Sequence, residues 1–300
     1  MIEDELATVR DWLRYAVSCF RAAGLSYGHG TGNALDEAAY LILHTLHLPI
    51  DQLDPWLDAR LLESERRAVR EIIDRRIATR KPASYLTNEA WIQGHAFYVD
   101  ERVIVPRSYI GELLCRQMAE PADEWHLGFD PGPVSTILDL CTGSGCLAIL
   151  AALTFVHARV DASDSSPDAL AVAERNVTAY GLQDRVSLVQ SDLFAAHAGQ
   201  RYDLILANPP YVDAEAVAAF PPEYAAEPRV AHAGGTDGLD LVRRILAEAG
   251  DRLSPAGTLV VEVGRGRAIL EHEFPHLPFL WLDTAESEGE VFSLAGQALR

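Results

Sequence analysis

The first third of the chain shows a helical pattern of hydrophobic and polar positions. Apolar residues recur every three or four positions in Glu5–Ala22 and in Ser64–Thr79, which predicts two amphipathic helices. Asn33 is suited to cap a further helix that runs to about Leu46. We therefore expect a small all-helical domain over residues 1–82.

A different pattern follows. β-branched and aromatic residues dominate from Trp91 to Val105, and they are interrupted by Gly94 and by Asp100. This alternation predicts a β-hairpin linker over residues 83–108. The breakers Pro121, Gly128, Pro131, Gly132 and Pro133 then predict a loop over Ala119–Pro133.

From Val134 onward, strand-like and helix-like segments alternate. The predicted strands are Val134–Leu140, Arg159–Ala162, Val186–Gln190, Tyr202–Ala207, Thr258–Val263, Phe279–Leu282 and Val291–Leu294. The predicted helices are Cys146–Thr154, Pro167–Tyr180, Gly238–Leu253 and Arg265–Phe274. This order predicts an α/β domain over residues 109–300, with a mostly parallel sheet covered by helices on both faces.

Composition and charge narrow the class of protein. Of the 300 residues, 49% are hydrophobic and 23% are charged, as in ordinary soluble globular proteins. The formal net charge of −19 argues against non-specific nucleic-acid binding and suits a basic protein partner, although it also serves solubility alone. The four cysteines form no disulfide or zinc pattern, so we expect no metal site. With no signal-peptide pattern and no bilayer-spanning run, we expect a cytoplasmic protein.

The first candidate chemistry lies after the first predicted strand of the α/β domain. Asp139 ends that strand, and Thr142, Gly143 and Gly145 follow in a turn before a helix. Glycines there permit a sharp turn and close approach of the backbone to a ligand at the carboxyl ends of the strands. Asp164 ends the next strand about 20 residues later, the spacing of a carboxylate that binds ribose.

The third strand ends in a similar way. Asp192 suits an exocyclic adenine amine, and Leu193 or Phe194 suits one face of the ring. Each aspartate alone also fits a solvated strand end, but three acidic strand ends around one glycine loop favour a site for a nucleoside-containing cofactor. A nicotinamide cofactor shares part of this pattern; against it, Ala148 occupies the last glycine position of the dinucleotide motif.

The fourth strand ends in Asn208-Pro209-Pro210-Tyr211. Asn208 precedes a proline and is therefore pushed towards an extended backbone. Pro209 and Pro210 have a fixed φ and no N–H. The stiff loop presents two acceptors, the Asn208 side-chain oxygen and the Pro209 carbonyl, to the two hydrogens of an –NH2 group. Tyr211 offers an aromatic face for a planar acceptor.

This geometry suits methylation of a poorly nucleophilic amide nitrogen. Acceptors on both hydrogens favour partial pyramidalisation and positive charge at nitrogen, and positioning supplies most of the acceleration of an in-line transfer.

The acceptor tetrapeptide together with the loop from Asp139 to Gly145 resembles the amino-methyltransferase branch of the Rossmann-like, class I methyltransferases. The stretch from Trp91 to Ser108 and the segments Gly235–Leu239 and Glu262–Gly264 are similar to those of the protein-glutamine methyltransferases. Tyr27–Thr31 and Val99–Ser108 are similar to the subgroup that acts on the third large-subunit ribosomal protein. The resemblance covers nearly the whole chain.

The resemblance implies S-adenosyl-L-methionine as cofactor, a helical substrate-recognition domain, a sheet with an antiparallel last strand, and a basic ribosomal protein as substrate. It also implies that Asn208 and Pro209 hold the glutamine amide and that Arg107 and Ser108 lie near substrate or cofactor. A structural ion pair is the alternative for Arg107.

Rival readings are methylation of release factors, amino-methylation of a nucleic-acid base, and a cofactor-dependent binding protein without catalysis. The acidity argues against nucleic acid, and the intact Asn-Pro-Pro-Tyr sequence argues against a protein without catalysis.

Overall fold

Amphipathic helices build the first of two units of the chain. The computed structural model describes residues 5–120, 124–285 and 287–300. The helical unit comprises Met1–Ala90 and Phe220–Glu227. Its helices are α1 (Val9–Ala22), α2 (Ala34–Thr45), α3 (Glu63–Thr79) and α4 (Ala83–Thr87), and the strand β1 (Glu89–Ile92) begins at its end. The predicted helical region is therefore confirmed, with α4 as an additional helix.

Caps and an apolar core hold the helical unit together. The Thr8 hydroxyl and Asp11 form a capping box at the start of α1. Asn33 caps α2, as predicted, by accepting hydrogen bonds from the amides of Leu35 and Asp36 at 2.9 and 3.0 Å. The facing sides of the helices bury a core that includes Trp12, Phe20, Leu41, Val69 and Ile73.

A buried ion network lies inside this unit. The Arg76 guanidinium is fully buried and lies 2.8 Å from a Glu37 oxygen and 3.7 Å from a Glu223 oxygen. Arg80 lies 2.7 Å from Glu223, and the Ser26 amide donates to the same carboxylate. Although burial opposes it, these hydrogen bonds hold the pKa of Glu223 below its usual range. The segment that follows the Asn-Pro-Pro-Tyr sequence thus contributes a buried acid to the helical unit.

The second unit, Trp91–Ala219 with Pro228–Arg300, is built on a seven-stranded sheet. Its strands are β3 (Thr136–Leu140), β4 (Arg159–Asp164), β5 (Val186–Gln190), β6 (Tyr202–Ala207), β7 (Leu253–Glu262), β8 (Leu280–Leu282) and β9 (Val291–Ala295). The spatial order is β5-β4-β3-β6-β7-β9-β8. The pairs from β5 through β7 are parallel, whereas β9 is antiparallel to both β7 and β8. The predicted mostly parallel sheet with an antiparallel last strand is confirmed.

Helices cover both faces of this sheet, as predicted. They are α5 (Tyr109–Ala119), α6 (Cys146–Thr154), α7 (Pro167–Ala179), α8 (Ala214–Ala218), α9 (Asp240–Arg252) and α10 (Arg267–Glu273). One apolar cluster contains residues of α5 and α6 and of one face of the sheet. A second contains residues of α9 and α10 and of the opposite face. The consecutive buried residues Leu204–Ala207 of β6 are typical of a central parallel strand.

Two local expectations differ from the structure. Helix α5 was not predicted, although Ser108 caps it and Ile110, Leu113 and Leu114 are buried at helical spacing. The hairpin consists of β1 and β2 (His95–Tyr98) only, and the apolar residues 103–105 belong to no strand. The predicted loop after α5 includes residues 121–123, which lie outside the described residues. No helix of the described ranges is both long and apolar enough to cross a membrane.

Candidate active site

The sheet order brings the carboxyl ends of β3, β4 and β6 side by side, where open α/β sheets bind ligands. The loops after these strands border a cavity. Four residues predicted for the site line it: Gly143, Asp164, Asn208 and Pro210. The remaining lining comes from the chain after the hairpin, from the residue after β3, from the start of α7, from residues 228–231 and from the start of α9: Arg102, Val103, Ile104, Cys141, Ser165, Ser166, Ala169, Pro228, Val230, Ala231 and Leu241.

Asp139 holds the glycine loop, Cys141–Cys146, in place by hydrogen bonds. This carboxylate is fully buried and accepts hydrogen bonds from the Thr142 hydroxyl at 2.5 Å and from the Ala148 amide at 3.1 Å. Burial raises the pKa of Asp139 to about 7, against the lowering effect of these two donors. Asp139 and Thr142 therefore shape the loop and are not part of the cavity lining.

The two glycines of this loop have different surroundings. Gly143 has φ +55, and a Cβ built there would meet no atom within 4 Å, so its backbone faces open space. Gly145 has φ +80, and a Cβ there would lie 3.1 Å from the Ala173 side chain on α7. Gly143 thus leaves room for a ligand, whereas Gly145 permits close packing of the loop against a helix.

Asp164 lies at the end of β4 and holds the glycine loop open beside the cavity. One carboxylate oxygen accepts from the Gly143 amide at 3.0 Å, and the other accepts from the Ser166 amide at 2.9 Å. Burial raises its pKa, while these amides act in the opposite direction. The Ser165 amide acts on the pKa in the same direction as these two. A carboxylate has about four acceptor positions, so these amides do not occupy all of them.

Strained backbone conformations cluster at the same edge. Cys141 and Leu193 are non-glycine residues with φ +58 and +45. Such conformations are costly and are often retained at functional sites. Desolvation, followed by the charges of Asp164, Asp139 and Asp192, raises the pKa of the Cys141 thiol, which therefore stays neutral.

The predicted residues at the end of β5 do not line the cavity. The side chain of Asp192 is 64% exposed and pairs with Arg244 at 2.9 Å. Leu193 and Phe194 are buried, and the Ser191 hydroxyl donates to the Leu193 carbonyl at 2.6 Å. The cavity lining does not include Asp192 or Leu193.

The acceptor loop, Asn208–Tyr211, follows β6 at the middle of the site. The side-chain amide nitrogen of Asn208 donates to the backbone carbonyl of Arg107 at 3.3 Å. This bond fixes which end of the Asn208 amide is the oxygen, and it leaves Oδ1 to accept from a ligand. Pro209 is buried, and a Cβ on Gly234 would come within 2.7 Å of the Pro210 carbonyl, so the loop is closely packed from behind.

Tyr211 and Ser108 are joined through a residue that was not predicted as part of the site. Glu262, at the end of β7, accepts from the Tyr211 hydroxyl at 2.9 Å and from the Ser108 hydroxyl at 2.7 Å. Burial and the adjacent Glu262 carboxylate raise the pKa of Tyr211. Burial likewise raises the pKa of Glu262 to about 7.

Asn176 is a second residue that was missed. It is buried on α7 and donates to the carbonyls of Ser144 and Tyr98 at 2.8 and 3.0 Å, while its oxygen accepts from the Tyr98 amide at 2.7 Å. It thus ties the hairpin to the glycine loop. The only signal in the sequence was a polar residue beside the apolar position Val177.

One group with the spacing of metal ligands lies elsewhere. Ligand atoms of Glu120, Glu124 and His126 all lie within 4.8 Å of one another, close to the end of α5. The two glutamates are exposed, and the group shares no residue with the cavity.

The chain is similar to known methyltransferases. A family model described as "Methyltransferase small domain" matches residues 128–220. The chain is 56% identical to a Bordetella pertussis protein named "Ribosomal protein uL3 glutamine methyltransferase", over 98% of this chain and 97% of that protein. A protein of the same name from Bradyrhizobium diazoefficiens is 53% identical, with 98% and 92% covered.

Among solved structures, the catalytic domain of hMettl16 in complex with a MAT2A 3′UTR hairpin matches with a TM-score of 0.50. It is 17% identical, and the match covers 87% of this chain and 91% of that one. This likeness concerns the fold alone.

Proposed function

The chain belongs to the family of the ribosomal protein uL3 glutamine methyltransferases, and on this premise we propose that it methylates a glutamine side chain of uL3. The methyl group comes from S-adenosyl-L-methionine, and the acceptor atom is the side-chain amide nitrogen. The chain is an S-adenosylmethionine-dependent enzyme of the class I, Rossmann-like methyltransferases.

The orientation of Asn208 carries the proposal for the acceptor. Its nitrogen is engaged by the Arg107 carbonyl at 3.3 Å, so Oδ1 is the atom available to the cavity. Oδ1 and the Pro209 carbonyl would accept the two hydrogens of a glutamine amide, and Pro210 and Tyr211 would stiffen the loop behind them. With both hydrogens held, the positive charge that develops at nitrogen would be stabilised. As the nitrogen–methyl bond forms and the sulfur–methyl bond breaks, the nitrogen would become cationic, and one of its protons would then pass to solvent.

The residues around the cavity fit the cofactor. The backbone of Gly143 borders open space that a ligand could fill. Asp164 retains acceptor positions for ribose hydroxyls. The carboxylates of Asp139, Asp164 and Asp192 all act electrostatically on the Cys141 thiol, so they make this edge of the sheet acidic. An acidic edge favours a cofactor that carries a sulfonium and an ammonium group. When bound, S-adenosyl-L-methionine supplies an electrophilic methyl group.

The charge of the chain supports a basic protein as partner. At −19, the chain attracts a basic ribosomal protein and disfavours stable binding to nucleic acid. We propose that it acts in the cytoplasm, where free ribosomal protein and assembly intermediates occur. The net charge of the chain gives no comparable reason to favour release factors as substrates.

We propose that the helical region recognises the substrate, that residues 83–108 link it to the rest, and that residues 109–300 carry catalysis. The cofactor residues all follow Asp139. A chain that begins at Ala83 should therefore bind the cofactor yet methylate uL3 poorly. Because that deletion removes Arg76 and Arg80, the partners of buried Glu223, the folding of the shortened chain should be checked by thermal melting.

One experiment tests the function directly. Purified protein and isotopically labelled S-adenosyl-L-methionine are incubated in parallel with unmethylated uL3, a release factor, and RNA. Mass spectrometry should find one methyl group on a glutamine of uL3, and much slower labelling of the other two acceptors.

The matched control is uL3 in which the modified glutamine is replaced by glutamate, which has no N–H for the two acceptors. This variant should remain unlabelled. A methyl group on the glutamate, on a lysine or on an RNA base would refute glutamine as the acceptor, and preferential labelling of the release factor would refute uL3.

A further inference from the structure

Glu262 is a buried acid with three donors aimed at it. It is 1% exposed at the carboxyl end of β7 and accepts from the Ser108 hydroxyl at 2.7 Å, the Tyr109 amide at 2.9 Å and the Tyr211 hydroxyl at 2.9 Å. β7 pairs with β6 in parallel, with Ala207 opposite Val261. Glu262 therefore lies at the same edge of the sheet as Asn208.

The three donors come from two chain segments, and these segments determine the position and orientation of the Asn208 side chain. Ser108 and Tyr109 directly follow Arg107, whose carbonyl accepts from the Asn208 amide at 3.3 Å. Tyr211 ends the loop that Asn208 begins. One carboxylate thus holds both the loop that carries Asn208 and the backbone segment that orients its amide.

Close packing against Gly264 restricts the Tyr211 ring, in addition to the hydrogen bond that holds its hydroxyl. A Cβ added to Gly264 would lie 2.8 and 2.9 Å from two ring carbons, closer than real Cβ atoms approach. The ring therefore lies directly on the glycine backbone that follows Glu262 by two residues. With one side of its ring and its hydroxyl both held, Tyr211 has little freedom to move the acceptor loop.

Stability alone does not account for an acid at this position. A buried charge is costly to desolvate, and apolar substitutes for buried ion pairs are often equally stable. The relevant property of Glu262 is that its two oxygens accept from three donors at defined places, which an apolar side chain cannot do.

We propose that Glu262 is a positioning residue for methyl transfer, which sets the direction of the Asn208 side-chain oxygen through Tyr211 on one side and through Ser108 and Tyr109 on the other. The proposal rests on the proposed function in that the acceptor loop holds the reacting amide. Glu262 itself does not touch substrate or cofactor. Its loss should lower turnover while leaving cofactor binding intact.

The test compares Glu262→Gln, Tyr211→Phe and the double variant. Each single variant should lower kcat on the order of tenfold, because each removes a hydrogen bond to a charged acceptor. The dissociation constant of the cofactor should stay within about twofold. Adding Tyr211→Phe to Glu262→Gln should lower kcat little further, since the Tyr211 hydroxyl acts through its bond to Glu262.

Thr258→Val is the matched control for lost stability. Thr258 is fully buried on the same strand and donates to the Phe129 carbonyl at 2.7 Å, four residues away from Glu262. This variant should lower the melting temperature and leave kcat unchanged. If Glu262→Gln fails to fold, Tyr211→Phe and Ser108→Ala remove the two sides of the network one at a time.

The pH profile separates positioning from packing. Protonation converts one Glu262 oxygen from acceptor to donor, and burial raises its pKa to about 7. The groups that face it are the Ser108 and Tyr211 hydroxyls and the Tyr109 amide, while Arg107 and Glu290 act electrostatically on the Tyr211 hydroxyl. Wild-type kcat should therefore rise as pH passes about 7, and Glu262→Gln should abolish this rise.

Wild-type kcat in Glu262→Gln, or equal losses of kcat in Glu262→Gln and Thr258→Val, would overturn the proposal. So would additive losses in the double variant. Kinetics are measured on whichever acceptor the wild-type protein methylates, so failure with uL3 contradicts the proposed function alone.

Discussion

Replacing Asn208 by alanine and by aspartate distinguishes two roles of its side chain. One is to supply an acceptor oxygen, and the other is to orient that oxygen through the bond to the Arg107 carbonyl. Alanine removes the oxygen that would hold the substrate amide. Aspartate keeps an acceptor but sets a second oxygen against the Arg107 carbonyl, which lies 3.3 Å from the present nitrogen. Two acceptors cannot share that contact without a hydrogen, so the carboxylate should rotate away. The aspartate variant should consequently be no more active than the alanine variant.

The expected loss of kcat in Asn208→Ala depends on the stage of the reaction at which the Asn208 oxygen stabilises the substrate amide. Because positive charge develops at nitrogen only during transfer, Asn208 should contribute more in the transition state than in the ground state. Removal of one such group typically costs about a hundredfold in kcat, or roughly 2.7 kcal/mol. Cofactor affinity should change little, since the residues proposed to bind the cofactor lie mainly on the glycine loop and at the end of β4.

The assay is single-turnover methylation of uL3 with labelled cofactor, together with calorimetric titration of S-adenosyl-L-methionine or its demethylated product. If Asn208→Asp retained the wild-type rate, the orienting role of the Arg107 carbonyl would be wrong. Equal losses in turnover and in cofactor affinity would place Asn208 in cofactor binding instead of catalysis.

Three further changes test other parts of the structure. Asp164→Asn should weaken cofactor binding by roughly 1.5–3 kcal/mol, measured by calorimetry, because an amide group replaces a charged acceptor; unchanged affinity would contradict the ribose assignment. Arg76→Leu should lower the free energy of unfolding by about 3–5 kcal/mol, since it leaves the buried Glu37 carboxylate without its charged partner. In contrast, Arg67→Leu at an exposed pair should cost about 0–1 kcal/mol, and similar losses for both would contradict the assignment. The folded-state pKa of Asp139 is raised to about 7, so its contribution to stability is present below about pH 4 and lost as pH rises through 7. Between about pH 4 and pH 7, the melting temperature of Asp139→Asn should therefore fall less steeply with pH than that of the wild-type protein. An equally steep fall in both proteins would contradict a raised pKa of Asp139.

Regular local patterns determined most of the fold. The spacing of apolar residues predicted the helical region, and β5 and β6 run between the residues expected from the sequence. Alternation of strands and helices predicted a parallel sheet, whose connections place loops at the carboxyl ends of its strands. Gly143, Asp164 and Asn208 were therefore expected at one edge, where they now border one cavity. Their roles towards cofactor and substrate stay predictions.

Contacts between distant positions were decided only by the tertiary structure. Glu262 lies 154 residues from Ser108, and Asn176 lies 78 residues from Tyr98, so no local period relates the members of either pair. Glu223 entered a buried network in the helical unit, although its surroundings in the sequence resemble an ordinary surface loop. Each of these is a polar group in a dry interior, and its position is set by the donors that the folded chain brings to it. A sequence pattern reports which residues face a core, but only the assembled fold determines which polar groups meet inside it.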